Sequence, residues 1–458
     1  MKFSDEALGR RPFLAATATI LGSWAVPNSF STLLQAEAQR KEAKLRPAID
    51  ETTGLPLLML PEGFRYQSFG WTGDPLADGT PTPAAHDGMA VIAADEGVLT
   101  LCRNHELGGS GTAFGAAAII YDKLATGGCS NLQFDTVQGR WVRAWITLAG
   151  TIKNCAGGPT PWGTWLSGEE TVLQGGDMVD EKRIELSEPH GYIFEVPATG
   201  SAKPVPLKAM GRFVHEAVAV DPSNGIVYET EDRSLSGFYR FTPKVKGVLS
   251  EGGTLEMLKV KGNPDLISAA MPGMDYKVSW VAIEDPDRPH SPGTQDGGGV
   301  FTQGRVLGGS PFARLEGCWW GNDLCYFVST SGGRARAGQV WQYNPREETL
   351  RLVFESPGTE FLDSPDNITV SPRGGIVLCE DGSRVPQRMH ALSRSGELGD
   401  LAASNVQLRG ERNDLRGDFR GSEWAGATFS PDGKWLFANL QSPGITFAIT
   451  GPWEALGL

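Results

Sequence analysis

Clustered carboxylates recur along this 458-residue chain at positions where several could meet around a cation. Four acidic segments that follow apolar stretches are Asn104-His105-Glu106, Glu169-Glu170, Glu229-Thr230-Glu231-Asp232 and Glu380-Asp381. Two carboxylates about 4 Å apart repel by roughly 4 kcal/mol at an effective dielectric constant near 20, so converging acids require cations or raised pKa values. Hard cations prefer carboxylate oxygens as ligands. If these segments instead end hairpins that point into solvent, their acids have no metal-binding role.

A repeated hairpin unit positions the acidic segments. Each unit has an apolar alternating strand, a turn rich in Pro, Gly, Asn or Asp, and a second apolar strand. The clearest copies span residues 218–228, 368–378 and 427–437, and weaker copies span 89–106, 157–170 and 318–330. Six such units predict an all-β fold, a six-bladed β-propeller. Since equivalent blade ends share one height, we expect the residues after the second strands to converge, which predicts a metal site on the central axis.

The composition agrees with a fold made of many hairpins. The chain has 59 glycines and 30 prolines, which suit turns better than helices. Its formal net charge of −13 argues against a nucleic-acid partner, which would require a basic face. Charge alone does not distinguish acids that ligate cations from acids that only keep the protein soluble.

The N-terminal residues have the pattern of an export signal. Arg10-Arg11 precedes an uncharged stretch over residues 15–26, which is too short to span a bilayer but suits a signal peptide. The arginine pair resembles the twin-arginine signal, and Ala36-Glu37-Ala38 has small residues typical of a cleavage site. We therefore predict a removable signal peptide over residues 1–38, recognised by the twin-arginine export machinery, and one propeller domain over residues 39–458. This predicts a periplasmic or secreted protein with no stable membrane anchor.

The most distinctive stretch of the sequence joins one cysteine to a pair of glutamates. It runs Asn154-Cys155-Ala156-Gly157-Gly158-Pro159-Thr160-Pro161-Trp162-Gly163-Thr164-Trp165-Leu166-Ser167-Gly168-Glu169-Glu170. The glycines allow backbone to approach whatever the sulfur contacts. The stretch closely resembles the signature of PhoX-type alkaline phosphatases. Further matches, in chain order, are Arg103-Asn104-His105-Glu106, Gly211-Arg212-Phe213-Val214-His215-Glu216, Ser364-Pro365-Asp366-Asn367 and Glu423-Trp424-Ala425-Gly426.

This resemblance implies a propeller that binds a mixed iron and calcium cluster and hydrolyses phosphate monoesters outside the cytoplasm. By position, Cys155 resembles the iron-bound thiolate of the family, and Glu216 resembles an iron-ligating carboxylate. Glu316 resembles another metal ligand, and Arg314 resembles the arginine that grips the phosphate. The resemblance implies further metal ligands among Glu169, Glu170, Glu231, Asp232 and Asp366.

Such a cluster would let an acidic protein bind an acidic substrate, because the metals reverse the local sign of charge. We expect calcium and iron cofactors, a metal-activated oxygen as nucleophile, and a guanidinium that holds the phosphoryl oxygens. The expected enzyme is a monomeric alkaline phosphatase-like hydrolase of small-molecule phosphate monoesters. Whether iron is retained and whether diesters are cleaved stay open.

Two other functions are compatible with the same sequence. A calcium-dependent, lactonase-like propeller hydrolase would polarise an ester carbonyl and need no thiolate, so replacing Cys155 with serine separates it from a phosphatase. A non-catalytic binding propeller would use calcium only to stiffen its axis. The segment His86-Asp87-Gly88 is equally compatible with a site-lining role and with a simple turn.

Overall fold

The computed structural model describes residues 44–179 and 181–458. The predicted signal peptide over residues 1–38 and the domain boundary at residue 39 lie outside the described residues. Within the described ranges, no helix is both long and apolar enough to cross a bilayer. In the same ranges, an α-helix spans Gly299–Val306, and short 3-10 helices span Ala117–Ile119, Lys208–Met210, Leu249–Glu251 and Trp453–Leu456.

Nearly all of the regular structure in the described ranges is β-strand. The strands are β1 (Arg46–Ala48), β2 (Leu58–Leu60), β3 (Arg65–Phe69), β4 (His86–Asp95), β5 (Val98–His105), β6 (Gly127–Asp135), β7 (Arg140–Thr151), β8 (Asn154–Pro159), β9 (Thr164–Glu169), β10 (Met178–Val179), β11 (Lys182–Arg183), β12 (Ile193–Pro197), β13 (His215–Val220), β14 (Val227–Glu231), β15 (Phe238–Pro243), β16 (Gly253–Val260), β17 (Asp275–Ala282), β18 (Leu315–Gly321), β19 (Leu324–Ser329), β20 (Gln339–Asn344), β21 (Thr349–Glu355), β22 (Pro365–Val370), β23 (Ile376–Glu380), β24 (Arg388–Leu392), β25 (Leu398–Ser404), β26 (Gln407–Arg409), β27 (Arg416–Asp418), β28 (Trp424–Phe429), β29 (Trp435–Leu440) and β30 (Ile445–Thr450).

Most of these strands form antiparallel meanders in chain order. The successive units are β4–β7, then β8, β9 and β12, then β13–β16, then β18–β21, then β22–β25, and finally β28–β30 with β3. Strand β17 pairs with both β16 and β21, so it joins two units at their outer edges. Strand β2 extends another unit by pairing with β25.

The first strands of the six units lie side by side around a centre. Strands β4, β8, β13, β18, β22 and β28 contact one another in that cyclic order, and β28 returns to β4. The predicted all-β propeller is confirmed, and we interpret this ring of inner strands as six blades. The ring is closed by an early strand, because β3 pairs with β30 from Arg65↔Thr450 to Phe69↔Thr446.

The hairpin repeats found in the sequence form the inner two strands of the blades. In the copy that joins β13 to β14, Asp221 Oδ1 accepts hydrogen bonds from the N–H of Ser223 at 2.8 Å and its hydroxyl at 2.7 Å. Gly225 follows at φ +80°, a conformation that glycine adopts without steric cost. These features reverse the chain and set the register Val220↔Val227.

Each inner strand packs between two blades, which explains why it is apolar on both faces. In β13, Val218 and Val220 belong to a core that includes Leu166 of the preceding blade. Ala217 and Ala219 face the opposite way, into the core shared with the following blade. Burying one valine side chain contributes about 1.5–3 kcal/mol, so the alternation fastens neighbouring blades and holds the inner strands around the axis.

Candidate metal centre

Every inner strand has a register irregularity near its first residue. The irregularities fall between His86 and Met89, Asn154 and Gly157, His215 and Val218, Leu315 and Cys318, Pro365 and Ile368, and Ala425 and Thr428. Such β-bulges re-aim a side chain locally. The first residues inside them are, in the same order, Asp87, Cys155, Glu216, Glu316, Asp366 and Gly426. Five blades therefore present a metal-ligating type of side chain at one equivalent position.

The last blade has no room for a side chain at this position. A Cβ added to Gly426 would lie 2.6 Å from the carbonyl oxygen of Asp87 and 2.7 Å from Asn439 Nδ2. Gly426 also has φ +60°, which strains other residues. Glu423, three residues earlier, lies near this cluster: burial raises its pKa well above the usual value, and the charges of Asp87 and Asp366 raise it further.

A second set of acids lies at the same end of the blades. Glu106, Glu170, Asp232 and Asp381 directly follow the second strands β5, β9, β14 and β23. The N–H of each donates to the residue that precedes the inner strand of its own blade, as in Glu170 to Lys153 at 2.8 Å. This repeated bond holds the four residues at one level, next to the residues of the bulges, as the repeat predicts.

The side chains of the two sets meet in two groups. Ligand atoms of Glu106, Cys155 and Glu170 all lie within 4.8 Å of one another, and so do those of Glu216, Glu316 and Asp366. The Cys155 thiol donates to Glu216 Oε1 at 3.3 Å, which links the groups. The sequence-derived residues Cys155, Glu170, Glu216, Glu316 and Asp366 are thus brought together.

The convergence of buried acids changes their protonation. Burial raises the pKa of Glu216 well above its usual value, and the charges of Asp366, Glu170 and Asp87 raise it further. Burial likewise raises the pKa of the Cys155 thiol, with Asp87 and Glu216 adding to the effect. Several acids held this close can all ionise only if positive charge is added.

Two solvent-inaccessible oxygens of the cluster have no hydrogen-bond donor within the described residues. They are Asp87 Oδ2 and Glu216 Oε2, both completely buried. A buried carboxylate oxygen without a donor is costly, and a cation relieves that cost. The donor set of several carboxylates and one thiol therefore fits hard cations, with a softer ligand at one side.

Arg314 is held at the edge of this cluster by two of its acids. Its Nε and Nη2 donate to the two oxygens of Asp232 at 3.0 and 2.9 Å, and Nη2 also donates to Glu316 Oε1 at 2.5 Å. The Arg314 side chain is 39% exposed to solvent. A guanidinium fixed from one side and open on the other can bind an anion from solvent.

Two residues expected as ligands lie outside the cluster. Glu169 accepts hydrogen bonds from the N–H groups of Ile152, Gly191 and Tyr192 at 2.8–3.1 Å and contacts His190 Nδ1 at 2.6 Å. Successive residues of a strand point to opposite faces, so Glu169 turns into its blade where Glu170 turns toward the axis.

Glu231 is placed in the same way. Its Oε2 accepts from the N–H of Gly237 at 2.9 Å and from the hydroxyl of Tyr239 at 2.7 Å. Its carboxylate thus fastens the turn before β15, and the neighbouring Asp232 reaches the cluster instead. Expectations for Glu169 and Glu231 as ligands therefore do not agree with their placement.

Four acids of the cluster were not named individually as ligands from the sequence. Glu106 and Asp381 belong to the segments that were expected to converge after the second strands. Glu423 belongs to a segment that matches the family. Asp87 precedes most of its strand, and only the bulge explains why it faces the axis.

The fold and the site define a β-propeller whose axial centre is lined by acids and one thiol. A family model described as alkaline phosphatase PhoX matches residues 43–144 and 135–444. The chain belongs to the PhoX alkaline phosphatase family and is a phosphatase of that family. A search of curated protein sequences found no match.

The solved structure of another PhoX protein agrees with the propeller fold. Pseudomonas fluorescens PhoX, in complex with vanadate as a transition-state analogue, is similar with a TM-score of 0.65 and 16% identity, covering 90% of this chain and 98% of that one. A gluconolactonase from Xanthomonas campestris, XC5397, has a TM-score of 0.42 and 12% identity, with coverage of 89% and 98%. At 16% identity, the likeness to the Pseudomonas protein concerns the fold alone.

Proposed function

We propose that this phosphatase is metal-dependent and hydrolyses phosphate monoesters to inorganic phosphate at the axial centre. The observation that carries the proposal is the meeting of buried acids from successive blades around Cys155, with Asp87 Oδ2 and Glu216 Oε2 left without donors. An uncompensated cluster of this kind is unstable at the alkaline pH where such a phosphatase works, whereas bound cations would stabilise it.

The acids and the thiol divide into hard and softer ligand positions. Glu316 and Asp366 offer only oxygens, which suit calcium. Cys155 adds sulfur beside Glu106, Glu170 and Glu216, which suits iron. Bound cations would supply the positive charge that attracts a phosphate dianion and activates the attacking oxygen. The assignment of calcium and iron to these positions is part of the proposal.

Arg314 offers the substrate a positively charged group that is already held in place. Asp232 and Glu316 orient its guanidinium, so the arginine can bind equatorial phosphoryl oxygens without first losing side-chain freedom. As charge redistributes among these oxygens during transfer, the guanidinium stabilises it. We propose Arg314 as the substrate-gripping residue on this basis.

The proposal is tested by hydrolysis of p-nitrophenyl phosphate by purified protein loaded with calcium and iron. We expect turnover that a chelator abolishes and metal restores. Turnover of lactones but not of the phosphate ester, or no turnover after full metal loading, would favour the lactonase-like or the binding propeller and contradict the proposal.

We also propose that the enzyme works outside the cytoplasm as a monomer. The support is the arginine pair Arg10-Arg11 with the uncharged residues 15–26, which lie outside the described residues. Replacing both arginines with lysine should retain the protein in the cytoplasm if the twin-arginine machinery recognises them. Continued export of that variant would contradict this route.

A further inference from the structure

Lys153 lies at the edge of the metal centre and has no part in the function proposed above. Its Nζ is 3.6 Å from Glu170 Oε2, and 43% of its side chain is exposed. Asp232 lies near Glu170, and its charge helps to raise the pKa of Glu170. The oxygens of Asp232 in turn accept from the guanidinium of Arg314 at 2.9 and 3.0 Å. The order along this edge is therefore one cation, two neighbouring carboxylates, and a second cation.

Lys153 and Arg314 occupy equivalent positions in their blades. Each directly precedes an inner strand, β8 or β18, and their φ angles are +49° and +48°. Their carbonyl oxygens accept from the N–H of Glu170 at 2.8 Å and of Thr330 at 2.9 Å, which are equivalent bonds. A positive φ costs roughly 1–2 kcal/mol for a residue with a side chain, and both blades have this conformation at the same position. The side chains of Lys153 and Arg314 therefore start at the same height along the axis.

Each cation also keeps donors that the protein does not use. An ammonium has three N–H donors, and the carboxylate of Glu170 at 3.6 Å engages at most one of them closely. Arg314 directs Nε and Nη2 at its acids, and Nη1 has no partner within the described residues. A ligand that approaches the centre from solvent therefore meets free donors from two sides.

We propose that Lys153 binds substrate and forms, with Arg314, a two-cation clamp that favours dianionic phosphate monoesters over monoanionic diesters. This inference rests on the phosphatase function proposed above. Arginine suits bidentate binding of two phosphoryl oxygens, whereas lysine acts as a compact point charge. A monoester has a second negative charge that a diester lacks, so a second cation stabilises the bound monoester more.

The alternative is that Lys153 only neutralises Glu170. In that case its loss would make the site more negative and change the affinity for metal, whereas the phosphate affinity of the fully metal-loaded protein would not change. The two roles are therefore separated by measuring metal content and phosphate binding on the same samples.

The test compares Lys153→Gln and Lys153→Arg with the wild type after metal loading. Lys434→Gln is the matched control, because Lys434 forms an exposed ion pair with Asp432 at 3.2 Å in the turn at the other end of its blade. Calorimetry measures the affinity for inorganic phosphate, elemental analysis measures metal content, and kcat/KM is determined for p-nitrophenyl phosphate and bis(p-nitrophenyl) phosphate.

We expect Lys153→Gln to keep its metals and to bind phosphate roughly tenfold more weakly, or worse, as loss of a charge-assisted hydrogen bond predicts. The kcat/KM for the monoester should fall by a similar factor and that for the diester by less, and Lys153→Arg should restore most of the loss. Wild-type phosphate affinity in Lys153→Gln, or an equal fall for both esters, would overturn the clamp. If the wild type itself neither binds phosphate nor hydrolyses the monoester, the proposed function fails, and the clamp fails with it.

Discussion

The sulfur of Cys155 and Oε1 of Glu216 lie 3.3 Å apart across the boundary between two neighbouring blades. Each residue stands in the bulge of its own inner strand, so their distance depends on how the two blades pack. The thiol is buried, with 8% of its surface exposed. A side chain in this position can offer a ligand atom to the cluster while it is almost fully shielded from solvent.

Replacing Cys155 with serine should remove the softest ligand of the centre. We expect bound iron to be lost and kcat for p-nitrophenyl phosphate to fall by roughly 100-fold or more, since a catalytic metal contributes several kcal/mol. Elemental analysis and the visible absorption from thiolate-to-iron charge transfer measure the loss. Cys325→Ser is the control, because Cys325 is a buried cysteine in the core between other strands. Full activity and iron in Cys155→Ser would contradict the assigned role.

Asn104 should determine how well Cys155 is positioned. Its Nδ2 donates to the carbonyl oxygens of Cys155 at 3.1 Å and Ala156 at 2.8 Å, from the neighbouring blade. We expect Asn104→Leu to weaken metal binding about 10–100-fold, as loss of an outer partner of a metal ligand does. Metal titration monitored by thiolate absorption measures the change.

The control for this prediction is Asn131→Leu. Asn131 is also buried, and its Nδ2 also bridges two blades, by donating to the carbonyl oxygens of Pro197 and Ala198 at 3.0 and 3.3 Å. It should lose similar stability but keep its metal. Equal loss of metal in both variants would show that Asn104 acts only through blade packing.

Neighbouring Glu169 and Glu170 should respond differently to the same substitution. Glu170→Gln removes a carboxylate of the cluster, so metal affinity should fall by more than the roughly 100-fold seen for outer partners. Glu169→Gln breaks a buried network with His190 and three N–H groups and should lower the free energy of unfolding by about 3 kcal/mol. Urea unfolding and metal titration of both variants measure the contrast, and loss of metal affinity in Glu169→Gln alone would reverse our assignment.

The stability of the metal-free protein should fall as the pH rises. Burial, with the charges of Glu106 and Asp232, raises the pKa of Glu170 from 4.5 to about 8, although Lys153 lowers it in part. Between these values the folded state binds more protons than the unfolded state, so the free energy of unfolding decreases with pH, by up to about 1.4 kcal/mol per pH unit for each such group.

Urea unfolding between pH 4.5 and 8 in the presence of a chelator measures this decline. Saturation with calcium should remove it, because cations replace protons on the carboxylates and bind more tightly as the acids ionise. Glu170→Gln should show a shallower slope than the wild type without metal. A metal-free wild type that gains stability over this range would contradict the arrangement.

Much of the site could be predicted from the sequence, because the repeated hairpins show which residues lie at the same height along the propeller axis. Val218–Tyr228 and its equivalents indicated the inner hairpins, and the acids after their second strands met at one end as expected. The face of the strand to which each side chain points was harder to predict. Glu169 and Glu170 are adjacent and chemically identical, and only the register of β9 decides which one faces the axis.

Other residues could not be located without the structure because bulges interrupt the alternation of side chains. Asp87 would face away from its observed direction in a regular strand, and the irregularity between His86 and Met89 turns it to the axis. In the last blade, the position equivalent to the other ligand-type residues is Gly426, and the nearby acid is Glu423. The repeat does not predict this difference, because it follows from the close approach of Gly426 to the Asp87 carbonyl oxygen.

Pairing of β3 with β30 gives the centre a particular assembly order. During synthesis, strands from the first blades can pair locally, but the sheet that contains both β3 and β30 must wait until β30 has left the ribosome. Contacts over such a sequence separation form late and slowly. Glu423 and Asp87 approach each other only when that sheet closes the circle, so the nascent chain should acquire its full cation affinity in one late step rather than blade by blade.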